Sequence, residues 1–320
     1  MKYRHLGNSG LEVSEIGLGT NNFGSRMDPD QAAGVLNAAI DLGINLIDTA
    51  DIYSHGQSED YIGRALGDKS GKRESVILAT KFGMDWEDGP HGQGGSRKHI
   101  MRSVEGSLKR LQTDYIDLYQ FHRPDPNTPI GETLRALDDL VRDGKVRYIG
   151  NSNFSAWQIA DASWTAATER LAQFVSAQPE YSMLVRNIET EIIPACDRFG
   201  LGILPYFPLA MGVLTGKYKR GADVPEGTRL STMPAARQES RLNDGNFSVI
   251  EKLEPWAKDH GHTLLELAFA WQLATPTISS VIAGASNPDQ LAQNAAASDW
   301  VLTAEEKAEV DALLDGSPAR

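Results

Sequence analysis

Four side chains capable of acid–base chemistry lie at or just beyond the ends of apolar runs: Asp48, Tyr53, Lys81 and His122. The segment Ile44 to Ala50 is apolar and of strand-like length, so Asp48 is a carboxylate delivered where a buried strand surfaces. A charge at that point needs a cationic or hydrogen-bonding partner to stay ionised, and the nearby Tyr53 carries a phenol too weakly acidic to act unaided at neutral pH. Lys81, in ILATKFG, and His122, in LYQFH, end two further runs. An ammonium beside a phenol stabilises its ionised form, so the pKa of Tyr53 is expected to fall from about 10 toward the working range, with Asp48 holding Lys81 in place and protonated. Such a set suits reversible carbonyl reduction. Tyr53 delivers a proton to the oxygen on which charge grows, while His122 hydrogen-bonds and polarises that oxygen. No side chain supplies hydride, so a nicotinamide cofactor must. Taken singly, Lys81 could be a strand-end ion pair, His122 a core histidine, Asp48 a turn residue and Tyr53 a loop ring; the coincidence of all four at one predicted rim favours a site.

Strand-like segments at residues 15–20, 46–50, 76–82, 115–122, 146–153, 174–180, 202–207 and 279–285 would position them. Amphipathic, helix-like segments lie between at 29–42, 58–66, 96–111, 130–143, 156–171, 187–199 and 247–275, and another at 288–297 follows the last strand. Strands apolar on both faces, each followed by a helix, predict an α/β fold closed into one parallel barrel over residues 1–320 rather than an open sheet. A short N-terminal hairpin and a C-terminal helix at 303–314 complete the expectation. Catalytic groups in such barrels gather where strands end, and the expected ends carry Gly19 and Thr20, Asp48, Lys81, His122, Ser152 and Asn153, Gln178, Tyr206 and Ser286. The irregular segment 217–246, with several Gly and Pro, is expected to be a loop over the site or partly disordered.

Composition narrows the partners. With 31 basic and 43 acidic residues the chain has a net charge of −12, which argues against nucleic acid or an anionic membrane surface as the main partner. The lone cysteine, Cys196, rules out an internal disulfide framework and suits a reducing cytoplasm. The N-terminus lacks a signal peptide's apolar core, and no run approaches the roughly 18 apolar residues of a membrane span. No metal site is expected.

The segment GINLIDTADIYSHGQSE, residues 43–59, resembles the signature of the aldo-keto reductase superfamily, as do residues 115–122, VRYIGNSNF at 146–154 and IAGASNPDQLAQN at 282–294. The pattern is most similar to the bacterial and potassium-channel β-subunit-like branches. The resemblance implies a TIM-type (β/α)8 barrel, NADPH as the usual hydride donor, a small carbonyl substrate, and a catalytic tetrad falling on Asp48, Tyr53, Lys81 and His122. It also implies that Ser152, Asn153 and Gln178 hold the carboxamide and that Tyr206 stacks on the nicotinamide ring. The pyrophosphate would lie under Leu209, Ala210 and Gly212 with Lys217 nearby; Gln290 and Asn294 would reach the adenine side, and Ser286 or Arg229 the ribose phosphate. Gly19, Thr20 and Gly284 count among the implied cofactor contacts. Where many relatives have proline after the isoleucine this chain reads IAGAS, and it lacks the Lys and Arg that some branches place against the 2′-phosphate, so NADH stays open beside NADPH.

Other patterns carry less. GLGTNNFG lacks the spacing of a dinucleotide fingerprint, and GVLTGKY has Tyr218 where a phosphate loop needs Ser or Thr. GPHGQGGS, residues 89–96, is expected to be a flexible loop, with a lid role open to it and Trp86 as a wall of the pocket; Phe23 and Trp157 are weaker pocket candidates. Two rival functions follow: a cofactor-binding regulatory subunit with little turnover, against which His122 is retained, and a Schiff-base aldolase using Lys81, which a charge-holding Asp48 disfavours.

Overall fold

The computed structural model describes residues 1–89 and 91–315. Pro90, in the expected lid, and residues 316–320 of the C-terminal tail lie outside the described residues. Strands β1 (Tyr3–His5) and β2 (Glu12–Ser14) pair antiparallel as the expected hairpin. Eight strands then form one parallel sheet: β3 (Ile16–Gly19), β4 (Leu46–Asp48), β5 (Ile77–Phe82), β6 (Ile116–Phe121), β7 (Val146–Ser152), β8 (Phe174–Gln178), β9 (Gly202–Ile203) and β10 (Val281–Gly284). From β3 to β9 each strand lies beside its successor, and β10 returns beside β3. Bridges from Ile203 to Ile278 and from Tyr206 to Ile282 join the two remaining edges. The sheet is therefore a closed barrel, as expected.

Helices wrap it: α1 (Pro29–Asp41), α2 (Gln57–Leu66), α3 (Arg97–Leu111), α4 (Ile130–Arg142), α5 (Ala156–Glu169), α6 (Ile192–Phe199), α7 (Ala235–Arg241), α8 (Asp244–Asp259), α9 (Leu264–Leu273), α10 (Pro288–Ala296) and α11 (Ala304–Leu314). Their boundaries follow local chemistry. Asp28 and Gln31 make a capping box at the start of α1, Pro29 occupies its first turn, and Ala32, Val35, Leu36 and Ala39 form the buried stripe. The expected single helix at 247–275 is two helices. Gly261 takes a left-handed φ of +81°, and Thr263 caps α9 with Glu266 in a second capping box. The segment 217–246 is ordered, with a 3₁₀ turn at Leu230–Thr232 and then α7. The seventh barrel strand, β9, is shorter than its expected range, which contains Pro205, a residue with no N–H to give a ladder.

The two-residue period of the strands places the site. Leu46, Ile77, Ala79, Leu118, Leu204 and Ile282 fill the barrel's interior together with Leu6 and Val13, which come from the hairpin side. Counting two residues onward from the inward Leu46, Ala79 and Leu118 gives Asp48, Lys81 and Gln120, and the corresponding residue of β8 is Gln178. The layer above the apolar filling is thus polar and faces the C-terminal mouth. The alternate positions, such as Ile47, Leu78, Tyr119 and Phe121, pack outward against the helices.

Candidate active site

At the centre of the polar layer Lys81, fully buried, donates from Nζ to Asp48 Oδ2 at 2.7 Å, to the Thr49 carbonyl at 2.8 Å and to Tyr53 Oη at 3.5 Å. Asp48 Oδ1 accepts from Gln178 Nε2 at 2.9 Å and from Gln120 Nε2 at 3.1 Å. A buried charge pair is tolerable when the remaining lone pairs are satisfied in this way. Burial works to lower the Lys81 pKa, but Asp48 and Tyr53 together outweigh it, and the net shift is upward. The ammonium is held charged, which disfavours the Schiff-base reading.

Tyr53 lies beyond the end of β4 in a tight turn, followed by Ser54 and His55 at φ values of +50° and +51°. Its pKa moves opposite to the expectation from residue types alone. Burial raises it, and the neighbouring ammonium of Lys81, whose charge and hydrogen bond both lower it, does not cancel that effect. The phenol is therefore neutral at physiological pH, with the charged Lys81 3.5 Å from its oxygen. The His122 ring meets Tyr53 edge-on, centroids 6.0 Å apart at 80°. Burial first, then Lys81 and Arg123, bring the His122 pKa down to about 3, so the imidazole is neutral. Its Nδ1 is buried and has no hydrogen-bond partner among the described residues. Placing the ring proton on Nε2 spares a buried N–H from lacking an acceptor and leaves that edge a donor.

These groups open into a cavity of about 940 Å³. Asn153, at φ +61°, donates from Nδ2 to the His122 carbonyl at 3.0 Å and accepts from Tyr206 Oη at 2.9 Å. Ser152 donates to the Gln178 carbonyl at 2.7 Å. Tyr206 presents its ring to the cavity, and burial pushes its phenol up to about 12. Beyond it the backbone turns through positive φ at Phe207, Ala210, Met211 and Gly212, with the Ala210 N–H donating to the Phe207 carbonyl and the Gly212 N–H to the Leu209 carbonyl at 2.8 Å each. At Gly212, φ +93°, an added Cβ would come within 2.9 Å of Lys217 Nζ. Leu209, Gly212, Lys217 and Arg229 line the cavity, whereas the Ala210 side chain is buried behind it. Arg229 lies over the Phe207 ring at 4.8 Å. At the far end Gly284, Ser286, Gln290 and Asn294 line the wall, with Ser286 Oγ donating to Gln290 Oε1 at 2.7 Å. Gly19 and Thr20 line the opposite edge, but the Thr20 hydroxyl is engaged with Asp48 O at 3.0 Å and Ser58 Oγ at 2.9 Å.

The expected site residues thus meet around one cavity, with Lys81 behind Tyr53, except Ala210, which is buried and is not part of the cavity wall. The loop expectations fare less well. Trp86 is not part of the cavity wall; its ring is held over the Arg110 guanidinium at 4.7 Å. Trp157 is 67% exposed on α5 and Phe23 is buried in packing. Cys196 is buried, with its thiol pushed up to about 12, and is inert as a nucleophile. Residue types and spacing did not single out Gln120, nor the cavity cations Arg26, Arg123 and Arg237.

Behind the site Asp51 is buried with Oδ1 unpartnered among the described residues, beside Glu59, which accepts from Thr80 Oγ1 at 2.6 Å and Arg110 Nε at 2.7 Å. Burial and then the Glu59 charge raise the Asp51 pKa from 3.8 to about 8. A raised folded-state pKa means the fold takes up a proton. The resulting stabilisation is complete below the unfolded-state value and is lost as pH rises to about 8. Stability should therefore decline across that window by up to roughly 1.4 kcal/mol per pH unit from this group. Asp51→Asn is expected to flatten the dependence of Tm on pH; a variant with the wild-type slope would contradict the assignment.

The aldo/keto reductase family pattern matches residues 15–315. A rice (Oryza sativa subsp. japonica) protein named a probable voltage-gated potassium channel subunit beta is 38% identical over 326 residues, covering 100% of this chain and 98% of that protein. Two Bacillus subtilis (strain 168) proteins are similar: an uncharacterized oxidoreductase YrpG, 40% identical over 91% of this chain and 89% of its own length, and the aldo-keto reductase YhdN, 36% identical over 99% and 95%.

Proposed function

The chain belongs to the aldo/keto reductase family of oxidoreductases, and from that premise we propose that it reduces aldehydes or ketones to alcohols with NADPH, Tyr53 being the proton donor. The observation that carries this reading is the contact of a neutral phenol with a buried, charged lysine at the floor of a cavity large enough for a dinucleotide. The residues present fit that cofactor. In the positive-φ run at 210–212 the Ala210 and Gly212 N–H groups donate to the Phe207 and Leu209 carbonyls at 2.8 Å each, which leaves the Met211 N–H for a pyrophosphate, and Lys217, Arg229 and Arg26 stand around it with no carboxylate partner among the described residues. Ser152, Asn153 and Gln178 would hold the carboxamide, and Tyr206 would lie against the ring.

A bound reduced nicotinamide supplies the hydride. Everything else falls to this chain. His122 Nε2 donates to the substrate oxygen, orienting it and drawing charge onto it as the carbon is reduced. Tyr53 Oη gives its proton to that oxygen, and Lys81 Nζ, kept charged by Asp48, stabilises the phenolate until solvent returns a proton. Gln120 and Gln178 fix Asp48, so the donor array is set before substrate arrives.

The test is loss of reduced-nicotinamide absorbance with a panel of aldehydes and ketones, NADPH and NADH being matched. Turnover is expected with NADPH. The potassium-channel name of the rice relative favours a second reading, a cofactor-binding regulatory subunit. It predicts tight NADPH binding and no substrate-dependent oxidation across the panel. Gly212→Ala supplies a separate check on the cradle. A Cβ at φ +93° should strain the turn and weaken NADPH binding roughly tenfold, read by titration; unchanged affinity would place the pyrophosphate elsewhere.

A further inference from the structure

The charges on the cavity wall do not balance among themselves. Arg26, Arg123, Lys217, Arg229 and Arg237 all line it, and none has a carboxylate within ion-pair distance among the described residues. The carboxylates that do line it are already committed: Asp48 to Lys81 at 2.7 Å, Glu180 to Arg241 at 2.6 Å and Glu266 to the cap of α9 through Thr263 at 2.7 Å. On a chain of net charge −12, five free cations in one cavity are a local inversion that calls for anionic ligands. NADPH brings about four negative charges, two on the pyrophosphate and up to two on the 2′-phosphate.

Position divides the five. Arg26 follows β3 and donates to the Arg229 carbonyl at 3.2 Å, so it sits with Lys217, Arg229 and Arg237 of the 217–246 segment near the positive-φ run. Arg123 enters the cavity at the His122 side, where Asn153 donates to the His122 carbonyl at 3.0 Å and accepts from Tyr206 Oη at 2.9 Å. It is the first residue after His122, and its charge acts on both the His122 imidazole and the Tyr206 phenol. It therefore faces the place where the substrate's reacting carbonyl must lie, away from the phosphates.

We propose that Arg123 determines substrate specificity by receiving a carboxylate on the carbonyl substrate, so that the preferred substrates are aldehydes or ketones carrying a carboxylate. This rests on the reductase reading above. A planar guanidinium with no internal partner offers a carboxylate two parallel N–H donors, and its place beside His122 lets that grip orient the carbonyl toward the imidazole. Because Arg123 is reached by solvent, the attraction is partly screened and weakens with added salt.

The experiment compares kcat/KM for 4-formylbenzoate and for its neutral methyl ester with NADPH. Wild type is expected to favour the carboxylate by roughly five- to tenfold, mainly through KM and less so at high ionic strength. Arg123→Gln should bring the ratio close to one, and Arg123→Lys should restore part of it. A wild-type ratio at or below one, or the same ratio in Arg123→Gln, overturns the proposal. A binding measurement separates it from the reductase reading: quenching of NADPH fluorescence in the loaded protein by 4-(hydroxymethyl)benzoate against its methyl ester. Turnover of both aldehydes without preference removes the Arg123 role and leaves the reductase. Arg123-dependent binding of the carboxylate with no turnover of either aldehyde does the reverse.

Discussion

Tyr53→Phe is expected to lower kcat for carbonyl reduction by about 10³-fold while leaving NADPH affinity close to wild type. The phenol is the one group in the cavity that is neutral, close to a charge able to stabilise its conjugate base, and beside a second donor on the same cavity. Lys81 Nζ is 3.5 Å from Oη and the His122 ring lies edge-on. Removing the hydroxyl deletes the proton donor and spares the cofactor contacts, so the loss should fall in the range of general acid catalysis, roughly 10²–10⁴. Steady-state kinetics with an aldehyde substrate, together with NADPH titration, check both halves. Near wild-type kcat in the variant would remove Tyr53 from the chemistry.

Lys81→Met should damage both stability and activity. It strands the Asp48 carboxylate, which is almost wholly buried and keeps only the two amide donors of Gln120 and Gln178. An uncompensated buried charge costs about 3–5 kcal/mol, and those amides place the expected loss near the lower figure. Activity should fall by about 10²-fold or more, since the phenolate of Tyr53 loses its counter-charge. The double replacement Asp48→Asn with Lys81→Met separates the effects. Stability should largely return, because no charge is left unpaired, while activity should not. Thermal unfolding and kinetics on the single and double variants read this directly; recovery of activity with stability would mean the pair serves only the fold.

Much of this arrangement was legible in residue order because strand geometry is so regular. An apolar run that ends in Asp48, Lys81 or His122 dictates which residue emerges at the rim, and a barrel gathers those ends. The same two-residue period would have identified Gln120, which precedes His122 by two and shares its inward face; its position inside the apolar run LYQFH hid it. Loop residues were less readable. Arg26, Arg123 and Arg237 reach the cavity through folding of irregular segments, and Trp86 turns to Arg110 because a guanidinium under an indole face outcompetes an open wall. The direction of the Tyr53 shift is hidden from the sequence for a related reason. Residue types reveal the ammonium beside the phenol but not how far burial opposes it. The division of 247–275 into two helices could have been found, since Thr263 and Glu266 spell a capping box.

The central claim is that Tyr53, Lys81 and His122 convert a carbonyl beside a reduced nicotinamide into an alcohol. The most direct measurement uses NADPH deuterated at both C4 positions, with mass analysis of the alcohol formed from an accepted aldehyde. Wild type should place one deuterium on the carbinol carbon and none on the hydroxyl, and Tyr53→Phe should yield almost no labelled alcohol under the same conditions. An alcohol without deuterium at carbon, or labelled alcohol formed equally fast by Tyr53→Phe, would contradict the account.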